Sequence, residues 1–375
     1  MKKIKIAIDG RSLKKISDGI SNYTYNFIKY LPDDEKIEWF IFSNTENIVL
    51  PPEKRKIKIV TSKFRIPKAW LQINVPFLLS KLKIDVFWEP IQIAPIIKIK
   101  GCKVVLTVHD LTYKYFPETM TNSNFLNHKL FFTHSLKSAD LILTVSHSTK
   151  NDILKEFKFI DEKKIEIIYP AVDNKVFYIQ NEKLQNNVKG FNLSDEYILT
   201  VGSFEPRKNL MSVLIAYEEL FQKGVKLPKL IMVGGNSWKS EELFRRIENS
   251  PIKENIFILG YVSNDDLRRL YNNAICLIYP SLYEGFGLPP LEAMTCGCPV
   301  IASNKASLPE VCGDAALYID PFDIETIKDA IIKISKNKEL QYNLRIKGLK
   351  ECKKFSWEES AKKLFDIFIK LAYEK

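Results

Sequence analysis

Short apolar runs alternate with longer amphipathic stretches along most of the chain, predicting strands and helices in turn. Lys5-Ile6-Ala7-Ile8 reads as a buried strand, followed by a helix from about Ser21 to Tyr30. Ile37 to Phe42 and Ile57 to Val60 read as strands, and Trp70 to Leu82 as a helix. Asp85 to Trp88 and Lys103 to Val108 are further strands, and a helix follows over Asn124 to Ala139. Strands at Leu141 to Val145 and Ile165 to Ile168 close the first half. Near-continuous apolar strands alternating with helices argue for a parallel sheet covered on both faces.

Residues 180–196 are polar, carry little periodicity and read as a linker or surface insertion. The rhythm then restarts, with strands at Tyr197 to Val201, Leu230 to Val233, Ile256 to Leu259 and Ile275 to Tyr279, each followed by a helical stretch. The last helix, Trp357 to Ala372, places Ala361, Leu364, Phe365, Ile367, Phe368 and Leu371 at helical spacing. The fold class expected is α/β, with two doubly wound domains facing one another across a cleft. Their ranges are 1–175 and 176–355, with 356–375 as a terminal helix. Ligands of open α/β sheets bind outside the carboxyl ends of the strands, so residues just after strands are the first candidates for chemistry.

Composition narrows the class. The 375 residues are 46% hydrophobic and 27% charged, which is ordinary for globular domains and excludes disordered, collagen-like and coiled-coil readings. No apolar run is long enough for a membrane-spanning helix, and the first residues lack a secretory signal pattern, so a cytoplasmic protein is expected. Six scattered cysteines make no disulfide framework, and Cys296-Gly297-Cys298 lacks the partners of a zinc site; buried thiols are expected. Residues 1–175 hold 29 Lys/Arg against 19 Asp/Glu, whereas residues 176–375 hold 27 against 26. A basic first half suits an anionic partner such as a membrane surface or a phosphate-bearing substrate, or is simply a solvated face. Charge alone gives no nucleic-acid motif.

Two strand ends carry the strongest signals. Tyr197 to Val201 runs into Gly202-Ser203-Phe204-Glu205-Pro206-Arg207-Lys208-Asn209. Paired cations at a strand end, just before a helix, can hold a diphosphate. Ile275 to Tyr279 leads into Pro280-Ser281-Leu282-Tyr283-Glu284-Gly285-Phe286-Gly287-Leu288-Pro289-Pro290-Leu291-Glu292. The glycines expose backbone, and Pro289-Pro290 mark the first turn of a helix. Glu284 and Glu292 can each accept hydrogen bonds from a sugar diol; the plain alternative is a solvated Glu284 and a Glu292 that offsets a helix N-terminus.

In order and spacing, these stretches resemble retaining family-four glycosyltransferases of the GT-B fold, with Glu284 and Glu292 as the E-x7-E motif. Glu205-Pro206-Arg207-Lys208-Asn209 is similar to that family's diphosphate clamp. Asp9-Gly10-Arg11 and Asp18-Gly19-Ile20 resemble its first-strand loop, with Ser21 standing where a second glycine is usual. Thr107-Val108-His109-Asp110-Leu111 resembles its strand-end histidine segment. The resemblance implies that Arg207 and Lys208 hold the donor diphosphate and that Glu292 takes the ribose diol. It implies further that Glu284 and His109 act at the hexose, and that Gly260 and Tyr261 lie near the base. Gly19, Ser203 and the loop Gly285, Phe286, Gly287 and Leu288 complete the implied donor-binding set.

The implied reaction is metal-independent hexosyl transfer from a nucleotide sugar, with GDP-mannose favoured and UDP-hexose or dTDP-rhamnose open. No cofactor is expected beyond that donor. The acceptor would be a glycan or a lipid-pyrophosphate-linked glycan in polysaccharide synthesis. A non-catalytic nucleotide-sugar-binding homologue and a GT-B epimerase are the alternatives. Residues 63–83 place Lys63, Arg65, Lys68, Lys81 and Lys83 around Trp70, Leu71, Ile73, Val75, Pro76, Phe77, Leu78 and Leu79. That pattern suits either a segment at an anionic bilayer face or a helix packed on the sheet.

Overall fold

The computed structural model describes residues 3–16, 19–54, 56–61, 70–180, 187–235 and 239–374. The chain divides into two compact units. The first comprises Met1–Tyr113, Asn122–Pro170 and Ser356–Lys375, and the second Lys114–Thr121 and Ala171–Phe355.

The first unit is built on β1 (Ile4–Asp9), β2 (Ile37–Ser43), β3 (Lys58–Thr61), β4 (Val86–Glu89), β5 (Lys103–Val108), β6 (Leu141–Thr144) and β7 (Ile165–Ile167). All pair in parallel, in the order β3-β2-β1-β4-β5-β6-β7. Ile6, Ala7 and Ile8 of the central β1 are fully buried on both faces, which is why these strands read as unbroken apolar runs. The order reverses between β1 and β4, and that reversal opens a crevice at the strands' carboxyl ends.

The terminal helix Trp357–Tyr373 belongs to this unit. Ser356 caps it by accepting from Glu359 N, while Phe368 packs near Trp39 and Trp88, with ring centroids 6.3 and 5.9 Å apart. Trp357 meets Phe27 edge-on at 5.1 Å. Its predicted apolar positions Ala361, Leu364 and Phe368 are fully buried.

Lys63, Arg65 and Lys68 of the basic segment lie outside the described residues. The rest begins as a wide turn over Trp70–Asn74 and continues as a helix, Val75–Leu82. Trp70, Leu71, Val75, Pro76, Leu78 and Leu79 are buried, so these side chains serve packing within the protein. Of its apolar residues only Ile73 and Phe77, four positions apart, are exposed.

The second unit carries β10 (Tyr197–Val201), β11 (Lys229–Val233), β12 (Ile256–Gly260), β13 (Cys276–Tyr279), β14 (Val300–Ser303) and β15 (Ala316–Ile319). These pair in parallel as β12-β11-β10-β13-β14-β15, the same order as the first six strands of the other sheet. Helices Leu210–Gln222 and Ile324–Lys336 bury Val213, Leu214, Tyr217, Ile327 and Ile331 against this sheet. Burial of each such side chain is worth about 1.5–3 kcal/mol. A two-stranded hairpin, β8 (Asn187–Val188) and β9 (Phe191–Asn192), occupies part of the polar stretch 180–196.

The grouping of the chain departs from the boundary at 175. Residues from Ala171 join the second unit, and the strap that follows is tied down there. Arg268 donates to Val176 O at 3.0 Å and lies over the Tyr178 ring, and Gln180 N donates to Asn272 Oδ1 at 2.8 Å. Lys114–Thr121 also joins it, because Tyr115 and Phe116 pack on Tyr283 with ring centroids 5.3 and 5.9 Å away. Cys102, Cys276, Cys296, Cys298 and Cys312 are buried free thiols and Cys352 is half-buried, as expected of packing residues.

Candidate active site

The second sheet reverses between β10 and β13, so the two loops singled out from the sequence emerge side by side. Close backbone approach shapes the first. A Cβ on Gly234 would stand 1.9 Å from Gly202 O, so only glycine fits there. Gly202 N donates to Val233 O and Gly234 N to Gly260 O, lacing together the carboxyl ends of β10, β11 and β12. After half-buried Ser203, Pro206–Lys208 form a short 3-10 turn. Asn209 follows in the left-handed region at φ 57°, held by its amide donating to Pro321 O at 2.7 Å. The next helix therefore opens at Leu210, and Arg207 and Lys208 are aimed across to the β13 loop instead of lying along its axis.

There they meet Glu284. Arg207 Nη1 lies 3.1 Å from Glu284 Oε2, and Lys208 Nζ donates to Glu284 Oε1 at 2.6 Å. Arg207 Nη2 also pairs with Glu205 Oε1 at 2.6 Å, and its Nη1 donates to Tyr283 O. The Tyr279 hydroxyl accepts from Lys208 Nζ at 2.8 Å and donates to Glu284 Oε1 at 2.9 Å. Ser307 Oγ fixes the loop by hydrogen-bonding Glu284 O and Phe286 O. All three charged side chains are nearly buried, so Glu284 is not the solvated carboxylate of the plain reading.

Burial pushes its carboxyl up, but Arg207 and Lys208 together outweigh that and bring it down to about 2. Burial likewise lowers Lys208, against the opposing pull of Glu284. Two cations facing two carboxylates leave the cluster with no net charge, and a bound anion would shift that balance.

Glu292 sits in the helix Leu288–Thr295, which starts at Gly287 with φ 113° and carries Pro289-Pro290 in its first turn. Its Oε2 accepts from the Tyr271 hydroxyl at 3.0 Å, and no ion pair to Glu292 is present among the described residues. Burial raises its carboxyl to about 7, with the Tyr271 bond opposing. The two motif glutamates thus occupy opposite electrostatic settings and share no hydrogen-bonded group. Gly285 and Phe286 are buried, with Phe286 edge-on to Phe355 at 5.3 Å, while Leu288 is half-buried. At the end of β12, Gly260 takes φ 62° and Tyr261 is exposed, with Lys189 Nζ donating to Leu259 O and Tyr261 O.

Gly19 and His109 lie in the first unit. Among the described residues a Cβ on Gly19 would meet nothing within 4 Å, whereas one on Gly10 would strike Ile41 at 2.3 Å. His109 Nε2 lies 2.8 Å from Pro90 O; a carbonyl only accepts, so this nitrogen carries the proton. The ring stands edge-on to Tyr23, and Thr149 donates to His109 O.

At the β1/β4 reversal Asp9 and Arg11 of the first-strand loop form a buried triad with Glu89, a partner not singled out from the sequence. Arg11 Nε lies 2.7 Å from Asp9 Oδ2 and its Nη2 3.4 Å from Glu89 Oε2, with both carboxylates fully buried. Burial, with Asp9 beside it, pushes the Glu89 carboxyl well up against the pull of Arg11. An acid at each of two adjacent strand ends was the available signal. Tyr271 and Ser307 were missed as partners for a simpler reason: they lie 21 and 23 residues from Glu292 and Glu284, and only tertiary structure brings them to the motif.

Two doubly wound sheets of the same strand order, with a nearly buried cation pair at the carboxyl-end reversal of one, place the chain in the α/β class with a crevice at that strand end. The model of the family Glycosyl transferases group 1 matches residues 181–351, and that of Glycosyltransferase Family 4 matches residues 17–176. The chain is 35% identical to the O-antigen chain mannosyltransferase B of Escherichia coli, over 68% of this chain and 67% of that protein. It is 31% identical over 72% of its length to the serotype-specific mannosyltransferase WbdA of the same species, and spans 34% of that longer protein. The solved structure of Anabaena HepE with UDP and glucose matches with a TM-score of 0.75 at 13% identity, covering 97% of this chain and 99% of that one. The chain belongs to the family-four, group 1 glycosyltransferases.

Proposed function

We propose that this protein is a retaining, metal-independent hexosyltransferase that moves a mannosyl group from GDP-mannose to a lipid-pyrophosphate-linked glycan during polysaccharide synthesis. It would act peripherally on the inner face of the membrane. The observation that carries the reading is the Arg207–Lys208–Glu284 network at the strand-order reversal. The mannosyltransferase relatives support the sugar. A nucleoside diphosphate leaving group gathers negative charge as its bond to the sugar lengthens. Arg207 and Lys208 are the charge that would meet it, doing what a divalent ion does in other transferases.

Glu284 neutralises the cations before donor binds; in the complex it would turn to hexose hydroxyls as the diphosphate takes over the cations. Gly19 would lie beside the phosphates, and His109, fixed by its Nε2–H to Pro90 O, would orient the hexose. Attack on the donor face bearing the diphosphate balances simply. The acceptor oxygen bonds to the anomeric carbon, the bond to the phosphate oxygen breaks, and the acceptor proton passes to that phosphate. The expected outcome is mannosyl transfer from GDP-mannose in excess EDTA, with NMR of the first product showing the donor's anomeric configuration. An inverted linkage overturns the retaining mechanism, and loss of turnover in EDTA overturns metal independence.

Glu292 is assigned to the ribose diol, with Gly260 and Tyr261 beside the base and Ser203, Gly285, Phe286, Gly287 and Leu288 around sugar and phosphates. Two hydroxyl donors are best met by an ionised carboxylate, and burial pushes this one up to about 7. Above that pH the carboxylate is formed and binds; below it the protonated group loses accepting capacity. Affinity for a nucleoside diphosphate is therefore expected to weaken as pH falls from 8 to 6, and Glu292→Gln should flatten that dependence. Calorimetric titration across the range checks this; a slope unchanged in Glu292→Gln removes the ribose assignment.

A further inference from the structure

Strands β1, β4 and β5 of the first unit lie side by side and end on Asp9, Glu89 and Val108, the last one residue before His109. A continuous chain of polar contacts crosses those ends. Arg11 N donates to Asp9 Oδ1 at 2.9 Å and Arg11 Nε to Asp9 Oδ2 at 2.7 Å, folding the side chain back on β1. Its Nη2 reaches Glu89 Oε2 at 3.4 Å, and its Cζ lies 5.8 Å from the centre of the Trp70 ring. The other oxygen of Glu89, Oε1, accepts from Ile91 N at 2.9 Å.

Peptide geometry sets the next link. The Ile91 N–H and the Pro90 carbonyl belong to one planar trans peptide, in which the two groups point in opposite directions. Holding the N–H on Glu89 therefore aims Pro90 O the other way, where it accepts from His109 Nε2 at 2.8 Å. The ring of Pro90 fixes its φ, so its ψ is the soft angle, and the Glu89 bond sets it. A bond to the N–H also polarises the carbonyl across the peptide and strengthens it as an acceptor. Gln92 closes the turn in the left-handed region at φ 69°, which a residue with a side chain keeps only where its surroundings hold it.

Two further contacts steady His109. Thr149 Oγ1 donates to its carbonyl at 3.0 Å, and Tyr23 stands edge-on to its ring with centroids 4.8 Å apart. Those contacts hold the backbone and one side of the ring, while Pro90 O sets the ring's rotation and keeps a proton on Nε2. Packing alone does not call for the triad behind that carbonyl. Buried ions lose hydration that apolar side chains of similar volume never had, so a buried triad is weak evidence for stability. This one stands at the strand-order reversal, where open α/β sheets bind ligands.

We infer that Arg11 and Glu89 are positioning residues for His109: with Asp9 they fix the turn at residues 89–91, and the turn holds the imidazole by its Nε2–H. What His109 does at the hexose is the one point taken from the reading above.

The chain has four histidines, so imidazole NMR of protein labelled with 15N-histidine reads His109 directly, its signals assigned by their loss in His109→Gln. Wild type is expected to show His109 protonated at Nε2, with slow exchange of that proton. Glu89→Leu fills the volume but takes nothing from Ile91 N, and should speed that exchange about tenfold or more, as loss of a net hydrogen bond does. Glu89→Gln keeps an oxygen for Ile91 N and should stay within about threefold of wild type. Arg11→Met frees Glu89 Oε2 but leaves the turn bond, and should fall between the two. Signals of His128, His134 and His147 should not move.

Transfer at saturating donor should follow the same order, with kcat down about tenfold or more in Glu89→Leu and donor KM within about twofold. Wild-type exchange at His109 in both Glu89→Leu and Arg11→Met overturns the inference, as does Glu89→Gln matching Glu89→Leu in exchange and kcat. A lowered melting temperature with the His109 signal and kcat intact marks a purely structural triad and overturns it too. Should Glu89→Leu not fold, Arg11→Met decides: faster exchange upholds the positioning role, and wild-type exchange removes it. Absence of transfer in wild type would count against the proposed reaction alone, because the NMR readout needs no turnover.

Discussion

Arg207→Ala and Lys208→Ala are each expected to lower turnover by about 10²–10³-fold, the usual cost of removing one preorganised group that meets developing charge. The effect belongs mainly in kcat, because the charge on the diphosphate grows as the glycosidic bond breaks. Either substitution leaves Glu284 one cation, through Oε2 to Arg207 or Oε1 to Lys208, so its carboxylate is not stranded. Loss of stability should therefore stay below the ~3–5 kcal/mol typical of breaking a buried pair outright. Arg207→Ala also frees Glu205, whose side chain can turn to solvent. Steady-state kinetics with a melting curve on each variant separates the two effects. Near-wild-type kcat in both variants would remove the diphosphate assignment.

The sheets were legible because a parallel strand buried on both faces is a continuous apolar run, as in Ile6-Ala7-Ile8 and Tyr197-Ile198-Leu199. Arg207, Lys208, Glu284 and Glu292 were legible because strand ends put chemistry in short contiguous stretches. What surrounds them was not. The contrast between a strongly acidic Glu284 and a weakly acidic Glu292 comes from Arg207 and Lys208, 77 and 76 residues before the first, and from burial beside Tyr271 for the second. Local spacing carries no trace of either. The segment from Trp70 to Leu82 shows the same limit: its apolar residues mark an amphipathic element, but only packing separates buried Trp70 and Leu79 from outward Phe77. Lys114–Thr121 looks continuous with the first half, yet Tyr115 and Phe116 commit it to Tyr283 in the second unit.

Glu284→Ala should be the most destabilising single change in the site. The native carboxyl falls from its ordinary 4.5 to about 2, which corresponds to about 3 kcal/mol of stability. The sign follows from proton binding. Between those values the unfolded chain holds the proton and the native chain does not, so wild type keeps this stability above pH 4.5 and loses it as pH falls toward 2.

Alanine removes it at neutral pH and leaves Lys208 buried with only the Tyr279 hydroxyl, a total loss of about 3–5 kcal/mol. The stranded ammonium then prefers to be neutral in the native state, so stability of the variant should recover as pH rises toward the ordinary lysine range. Glu284→Gln keeps the acceptor for Lys208 and should lose less. Both variants should bind a nucleoside diphosphate more tightly than wild type, since no carboxylate competes for the cations, while turning over more slowly for want of the hexose contact. Urea unfolding at several pH values and calorimetric titration with GDP read these outcomes together. A Glu284→Ala protein as stable as wild type, with unchanged GDP affinity, would mean that Glu284 does not hold Arg207 and Lys208 in the free enzyme.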